Sequence, residues 1–587
     1  MPVELPRHQL PRSSFTQLSA GPAGKLVINQ LRASQLSRRK LQLRALIELL
    51  EATEKRAVST YAWPILVAAE RRNSEIVDEL LLHPSVGVWL TRSLRKLSGA
   101  PLDSTPLRTD LDYLASLAGA AALRCGIPCT IDVPVVHGVV TLPTVGQLEL
   151  PLAFPAGKAI LETAADGSGS LRTLTGVSVE FDPPLPGPGF FPARRHTVES
   201  HGARLSVEID DRGPYRVFSA PVPPDPLDPP EYSEWTKLLG EAWQILTSHY
   251  AGFADELAHG MSTLVPLESE NFFTGASSSN AFGAIAMTAK YSAVDLAETL
   301  VHELQHSKMN ALLELVDLVD PDFGKLLYAP WRDDPRPASG LLHGIFAFLT
   351  AVEFWRVQLR QDETAGRHAW FSYAYRRHQV RQTIDVLLAS DALTELGRQF
   401  VASLSDRLDS VDPAAVPSEL DETVTRVANE EQATWRLRHL RPDESWVIEA
   451  TDAWAARTEP PRPPVGPGEV TPWHRSVPRS PRMDLLRLHF LGQTARRRNL
   501  SAADLAYVNG DLSTARSTYA ATIRTTPQDD QAWLGLGLTM AAAGQRTALL
   551  TAPHLVLGIR DRLLSREDPG DLPVELVEWL ITAAPAG

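Results

Sequence analysis

The segment from Ser292 to Val316 constrains this chain more than any other. Leu296, Leu300, Leu304, Met309, Leu312, Leu313 and Val316 recur at three- and four-residue spacing, the pattern of a helix that wants burial over most of its circumference. Ser292-Ala-Val-Asp295 has the form of a capping box and marks its start. One polar row crosses the apolar surface at four-residue spacing: Glu298, His302, His306 and Asn310. Four residues advance a helix by about 6 Å and stay on one face, so His302 and His306 can aim two imidazoles at a single metal ion. A polar row in apolar surroundings is costly unless its members are paired. Metal ligation by the two histidines, with Glu298 or Asn310 as hydrogen-bonding supports, removes that cost.

These residues read H-E-x-x-H, which usually implies a zinc peptidase with Glu303 activating a water. The better-marked peptidase subclasses are not matched. The extended form would need Gly and His where Met309 and Leu312 stand. A glutamate third ligand should come from a second helix; Glu314 is on the same one, and Glu353 lacks the flanking residues of such enzymes. Downstream of the motif stands Tyr328-Ala-Pro-Trp331-Arg332-Asp-Asp-Pro-Arg336, a proline-stiffened loop feeding a helix with His343 in its first turn. His343 reads as a third metal ligand or as a helix-end histidine bonded to backbone. Arg332 and Arg336 read as an anion clamp or as surface ion pairs with Asp333 and Asp334.

At 587 residues the chain exceeds one core and implies several domains. The formal net charge of −13 offers no basic surface, so no nucleic acid or anionic lipid is expected as partner. No stretch reaches signal-peptide or membrane-span character, and the expectation is a cytoplasmic protein without a membrane partner. The two cysteines, Cys125 and Cys129, read as reduced thiols.

Periodicity divides the chain into an α+β, predominantly helical fold. Residues 1–126 form a helical N-terminal part, and 127–222 a β-rich middle segment of short alternating runs such as CTIDVPVV and ARLSVEI. Residues 223–458 form the helical metal-binding catalytic core, in which STLVPL and AFGAIAMT can pair as strands beside the metal helix. A Pro-rich linker spans 459–482. Residues 483–587 form a helical, tetratricopeptide-like part, on the strength of Asn509-Gly-Asp, Tyr519, Pro527 and Trp533.

Three blocks, SSSNAFGAIAMT, LAETLVHELQHSKMNALLELVDL and PWRDDPRPASGLLHGIFAF, resemble the bacterial HExxH-motif peptide-modification family. The resemblance runs from about Phe15 to about Arg441; the C-terminal region lies outside it. It implies an iron(II)- and 2-oxoglutarate-dependent oxygenase, with O2 as co-substrate, that hydroxylates the β-carbon of a residue in a ribosomally synthesised precursor peptide. The partners would be that peptide and other peptide-modifying enzymes. Under this reading His302, His306 and His343 hold Fe(II) on one face, leaving positions open. Arg332 or Arg336 takes the far carboxylate of 2-oxoglutarate. Glu303 is then a catalytic residue that positions substrate or water and is not a general base. Lys308 and Ser279-Asn280 become contacts to co-substrate or peptide. The alternatives are a zinc metallopeptidase acting on a peptide and, third, a non-catalytic peptide-binding scaffold. The arginine loop and His343, which a peptidase does not need, separate the readings.

Overall fold

The protein is described by a computed structural model covering residues 8–52, 57–150, 156–173, 176–268, 275–289, 292–361, 366–411, 416–464, 468–478, 480–491, 501–565 and 575–581. It is α+β and predominantly helical, as the periodicity predicts. The chain forms two compact units, Met1–Val316 and Asp317–Gly587. That division falls inside the segment expected to be one catalytic domain (223–458), because the metal-motif helix packs on N-terminal elements.

In the first unit, α1 (Arg12–Ala20), α2 (Gly24–Glu51), α3 (Ala57–Arg72), α4 (Ser74–Leu82), α5 (Pro84–Leu97) and α6 (Leu107–Cys125) precede the strands. Seven strands come next: β1 (Cys129–Val136), β2 (Val139–Leu142), β3 (Gly146–Glu149), β4 (Ala156–Thr163), β5 (Gly169–Thr173), β6 (Ser178–Phe181) and β7 (Phe190–Pro192). They make an antiparallel sheet in the order β6-β5-β4-β1-β2-β3-β7. Helix α6, alanine-rich and almost wholly buried, lies against it. Gly119 lets the two pack closely, since a Cβ there would lie 2.5 Å from Leu161 Cδ2.

The β-rich segment is not one body. Its last hairpin, β8 (Arg195–Ser200) and β9 (Ala203–Ile209), belongs to a second sheet. After α7 (Pro229–His249) and α8 (Ala251–Gly260), that sheet gains β10 (Thr263–Leu267), β11 (Gly275–Ala276) and β12 (Ala284–Thr288), in the order β11-β12-β10-β9-β8. STLVPL and AFGAIAMT do pair, in parallel, with Val265 opposite Ala286. Both strands are buried on both faces over most of their length, which explains their unbroken apolar sequence. Helix α9 (Ala293–Leu313) carries the metal motif and packs on α2, α7 and α8 and on β11 and β12.

The second unit begins with α10 (Ala338–Gln361), α11 (Gly366–Leu388), α12 (Glu395–Ser410) and α13 (Ser418–His439). Then come β13 (Leu440–Arg441), α14 (Glu444–Ala455), β14 (Glu469–Val470) and α15 (Pro481–Phe490). The chain closes with α16 (Ala502–Val508), α17 (Leu512–Thr525), α18 (Asp530–Ala542), α19 (Ala548–Thr551), α20 (Pro553–Leu564) and α21 (Glu575–Ile581). Residues of the repeat-like signature meet in the fold: the Trp533 indole N–H donates to Pro527 O at 2.9 Å, and Gly535 lets the Tyr519 ring approach α18. The segment expected as a linker (459–482) is instead held on the unit where it is described. β14 pairs with β13, Trp446 donates to Arg462 O, and buried Arg438 donates to Val477 O. Among the described residues α10 is long and apolar enough to cross a membrane, but 72% of its apolar window is buried, as in a core helix.

Candidate metal centre

Helix α9 starts where the sequence predicts: Ser292 Oγ accepts the Asp295 N–H at 3.1 Å and donates to its carboxylate at 2.7 Å. Between Leu296 and Leu312 every residue is buried except four, and these are the polar row Glu298, His302, His306 and Asn310, all half-buried. The Nε2 atoms of His302 and His306 are 3.2 Å apart, with the rings nearly perpendicular at 82°. Two imidazole nitrogens each about 2.0–2.1 Å from a common ion, at angles of about 90–110°, lie about 2.9–3.4 Å apart. The histidine pair therefore fits one metal ion. Among the described residues, ligand atoms of His302, Glu303 and His306 all lie within 4.8 Å of one another.

Glu303 follows His302 on the helix and is only 5% exposed, with a carboxylate oxygen inside that 4.8 Å neighbourhood. Its carboxylate lies against β11, where a Cβ on Gly275 would come 2.8 Å from Oε1 and 3.0 Å from Cγ. The missing side chain at Gly275 is what leaves room for the acid. Nothing in the periodicity marks that glycine as functional; only the fold brings it to Glu303.

The helix is also pinned on its far side. Lys308 Nζ donates to Glu256 Oε1 on α8 at 2.6 Å and to Gln305 Oε1 at 2.9 Å, with the Lys308 and Glu256 side chains fully buried. The same Glu256 oxygen accepts the Ala23 N–H. At the helix end Glu314 accepts from Arg38 and Gln35 of α2. These contacts correct one expectation: Lys308 is an internal anchor with no face to offer a peptide. Ser279 O and Asn280 Oδ1 accept from the Arg38 guanidinium, while Ser279 itself stays exposed.

In the second unit, His343 is the sixth residue of α10, one turn later than expected. Burial pushes its pKa down to about 4, so the imidazole is neutral at neutral pH, the state that ligation requires. Neighbouring Gly344 makes room for the Trp331 indole, whose Cζ2 would lie 1.9 Å from an added Cβ. Arg332 and Arg336 are both half-exposed and both bind Asp334, at 2.9 and 3.0 Å. Burial raises the Asp334 carboxyl, but those two hydrogen bonds outweigh it and the net shift is downward. Both arginines of the loop thus pair with Asp334, whereas Asp333 pairs with Arg438. Glu353, the competing carboxylate, is gripped by Arg407 through two bonds of 2.6 Å. Cys125 and Cys129 are free thiols whose pKa burial raises.

The arrangement is an H-E-x-x-H helix seated on a mixed sheet, with two converging imidazoles and a buried acid. No family model matches this chain, and no curated protein matches it, so its function is read from these residues.

Proposed function

We propose that this protein is a metal-dependent enzyme acting on a peptide, and that its chemistry is iron(II)- and 2-oxoglutarate-dependent hydroxylation of a β-carbon in a ribosomally made precursor peptide. The observation that carries the metal site is the polar row on α9: the one face left open on an otherwise buried helix presents two nitrogens at 3.2 Å. The three sequence blocks that resemble the peptide-modification family support the choice of chemistry. Bound iron would supply activation of O2, with 2-oxoglutarate as the two-electron reductant.

Each protein group then has a defined task. His302 and His306 give neutral nitrogens on one side of the ion and leave other positions free. His343 is proposed as the third ligand from its place in the third block and from its neutral imidazole. Glu303, fixed between α9 and Gly275, orients substrate or water beside the metal without itself exchanging a proton. Arg332 and Arg336 remain candidates for the far carboxylate of 2-oxoglutarate, and either would have to leave Asp334 to take it.

One observation favours the second reading, a zinc peptidase. The Glu303 carboxylate lies within 4.8 Å of the histidine nitrogens, the neighbourhood a water-activating base needs. Glu303→Gln separates the two. In the oxygenase the variant keeps its metal and part of its hydroxylation, measured as a gain of about 16 Da in peptide mass, one oxygen atom. In the peptidase it keeps its metal and loses all cleavage. A wild-type protein that cuts the peptide and consumes no oxygen overturns the proposal.

A further inference from the structure

The second unit contains a cavity of about 560 Å³ bounded by the loop before α10 and by α10, α11, α13 and α15. Rings form much of its wall: Trp331 and Phe348 pack tilted with centroids 5.0 Å apart, beside Tyr328, Phe371, Tyr375 and Trp435. Such walls bind flat or apolar groups. The charges on the wall are not equivalent. Arg332 is held by Asp334, and Arg438 by Asp333 at 3.3 Å. Arg376 and Arg487 differ from these. Arg376 lies over the Phe348 ring at 4.3 Å and donates to the neutral Gln379 amide at 2.8 Å; Arg487 lies over Phe371 at 5.6 Å. Among the described residues no carboxylate pairs with either. Each guanidinium has a ring beside it and keeps donors available, an arrangement suited to bidentate capture of a carboxylate.

Two carboxylates also face the cavity. Glu431 accepts the Tyr375 hydroxyl, and Asp484 lies one turn from Arg487. Acids among the arginines make the cavity unfavourable for polyanions such as nucleotides and favourable for a ligand with a single negative group. A volume of this size accommodates two or three residues of a peptide.

We infer that this cavity binds a short peptide segment in which an acidic side chain, taken by Arg376 and Arg487, stands next to an aromatic one seated among the rings. The inference rests on the reading that the protein's substrate is a peptide, and it names the part of the substrate that is recognised. Recognition here is separate from the metal chemistry and needs neither metal nor 2-oxoglutarate.

The test is saturation-transfer NMR on the full-length, metal-free protein, with N-acetyl-Phe-Glu-amide as probe and N-acetyl-Phe-Gln-amide and N-acetyl-Ala-Glu-amide as controls. Saturation should reach the phenyl ring of the first probe. Apparent affinity should fall about fivefold to tenfold for each control, and as much for the first probe in Arg376→Gln or Arg487→Gln, the loss of one charge-assisted contact. Arg487 is exposed, so its variant keeps the test valid should Arg376→Gln fail to fold. Equal signals for all three probes, unchanged binding in both variants, or stronger binding of adenosine monophosphate each overturn the inference. Failure of this test leaves the metal-centre reading standing. Loss of 2-oxoglutarate chemistry with these binding differences intact removes the oxygenase reading and leaves this site.

Discussion

Gly275 and Glu303 lie far apart in sequence, yet a single missing Cβ on the first sets where the carboxylate of the second lies. Gly275→Ala places a methyl 2.8 Å from Oε1 and 3.0 Å from Thr299 Cγ2. Something must shift, and the flexible carboxylate is the easier group to move. An off-rotamer side chain costs about 0.5–1.5 kcal/mol and overpacking about 1–3 kcal/mol. The expected result is a Tm lowered by a few degrees, unchanged metal stoichiometry and turnover reduced about tenfold or more, an effect of misplacement at the reacting centre. Full turnover in a correctly folded variant would show that the position of Glu303 is irrelevant. His302, His306 and Glu303 are legible in sequence because spacing alone puts them on one turn of a helix. Gly275 is not, since its importance lies in a contact between a helix and an edge strand.

At the scale of elements, α9 is held by buried polar contacts as well as by its leucines. Lys308 and Glu256 form an ion pair with no exposed surface, and removing one partner strands the other charge. Lys308→Met should therefore lower unfolding free energy by about 3–5 kcal/mol in urea titration, whereas Lys308→Met with Glu256→Leu should recover much of the loss. If the single variant is as stable as wild type, the pair is not what fixes α9. Sequence periodicity locates this helix, its cap and the two strands beside it. It does not show that β8 and β9 leave the preceding β-rich segment for the sheet of α9, because alternation specifies a strand and not its sheet. Nor does it show that Arg332 and Arg336 share Asp334: an arginine-rich loop looks alike in sequence whether its charges are satisfied within the loop or offered to a ligand.

The whole molecule divides where composition gives no sign. The end of the alternating runs near residue 222 and the Pro-rich stretch from 459 suggest boundaries, but the break lies at Val316, just past the metal helix. Prolines there stiffen connections that are then packed down, as Val477 is. Acid stability belongs at this scale too. Unfolded, His343 titrates near 6.5; folded, burial holds it to about 4. Between those values the unfolded chain binds more protons, so the contribution of His343 is complete above about pH 6.5 and is lost as pH falls toward 4. His554, also pushed to about 4 by burial, acts in the same direction in the same unit. Urea midpoints of the metal-free protein should fall across that window, and fall less in His343→Gln. An identical slope in that variant would mean that His343 is not desolvated.

The most direct measurement of the central claim is anaerobic reconstitution with Fe(II), followed by oxygen and 2-oxoglutarate, on the wild type and on His302→Ala and His306→Ala. One iron per wild-type chain is expected, with succinate formed in step with 2-oxoglutarate consumed, and both are lost when either histidine is replaced. Iron bound equally well without His302 and His306, or a wild-type protein that retains zinc, leaves 2-oxoglutarate untouched and cleaves peptide, would contradict it.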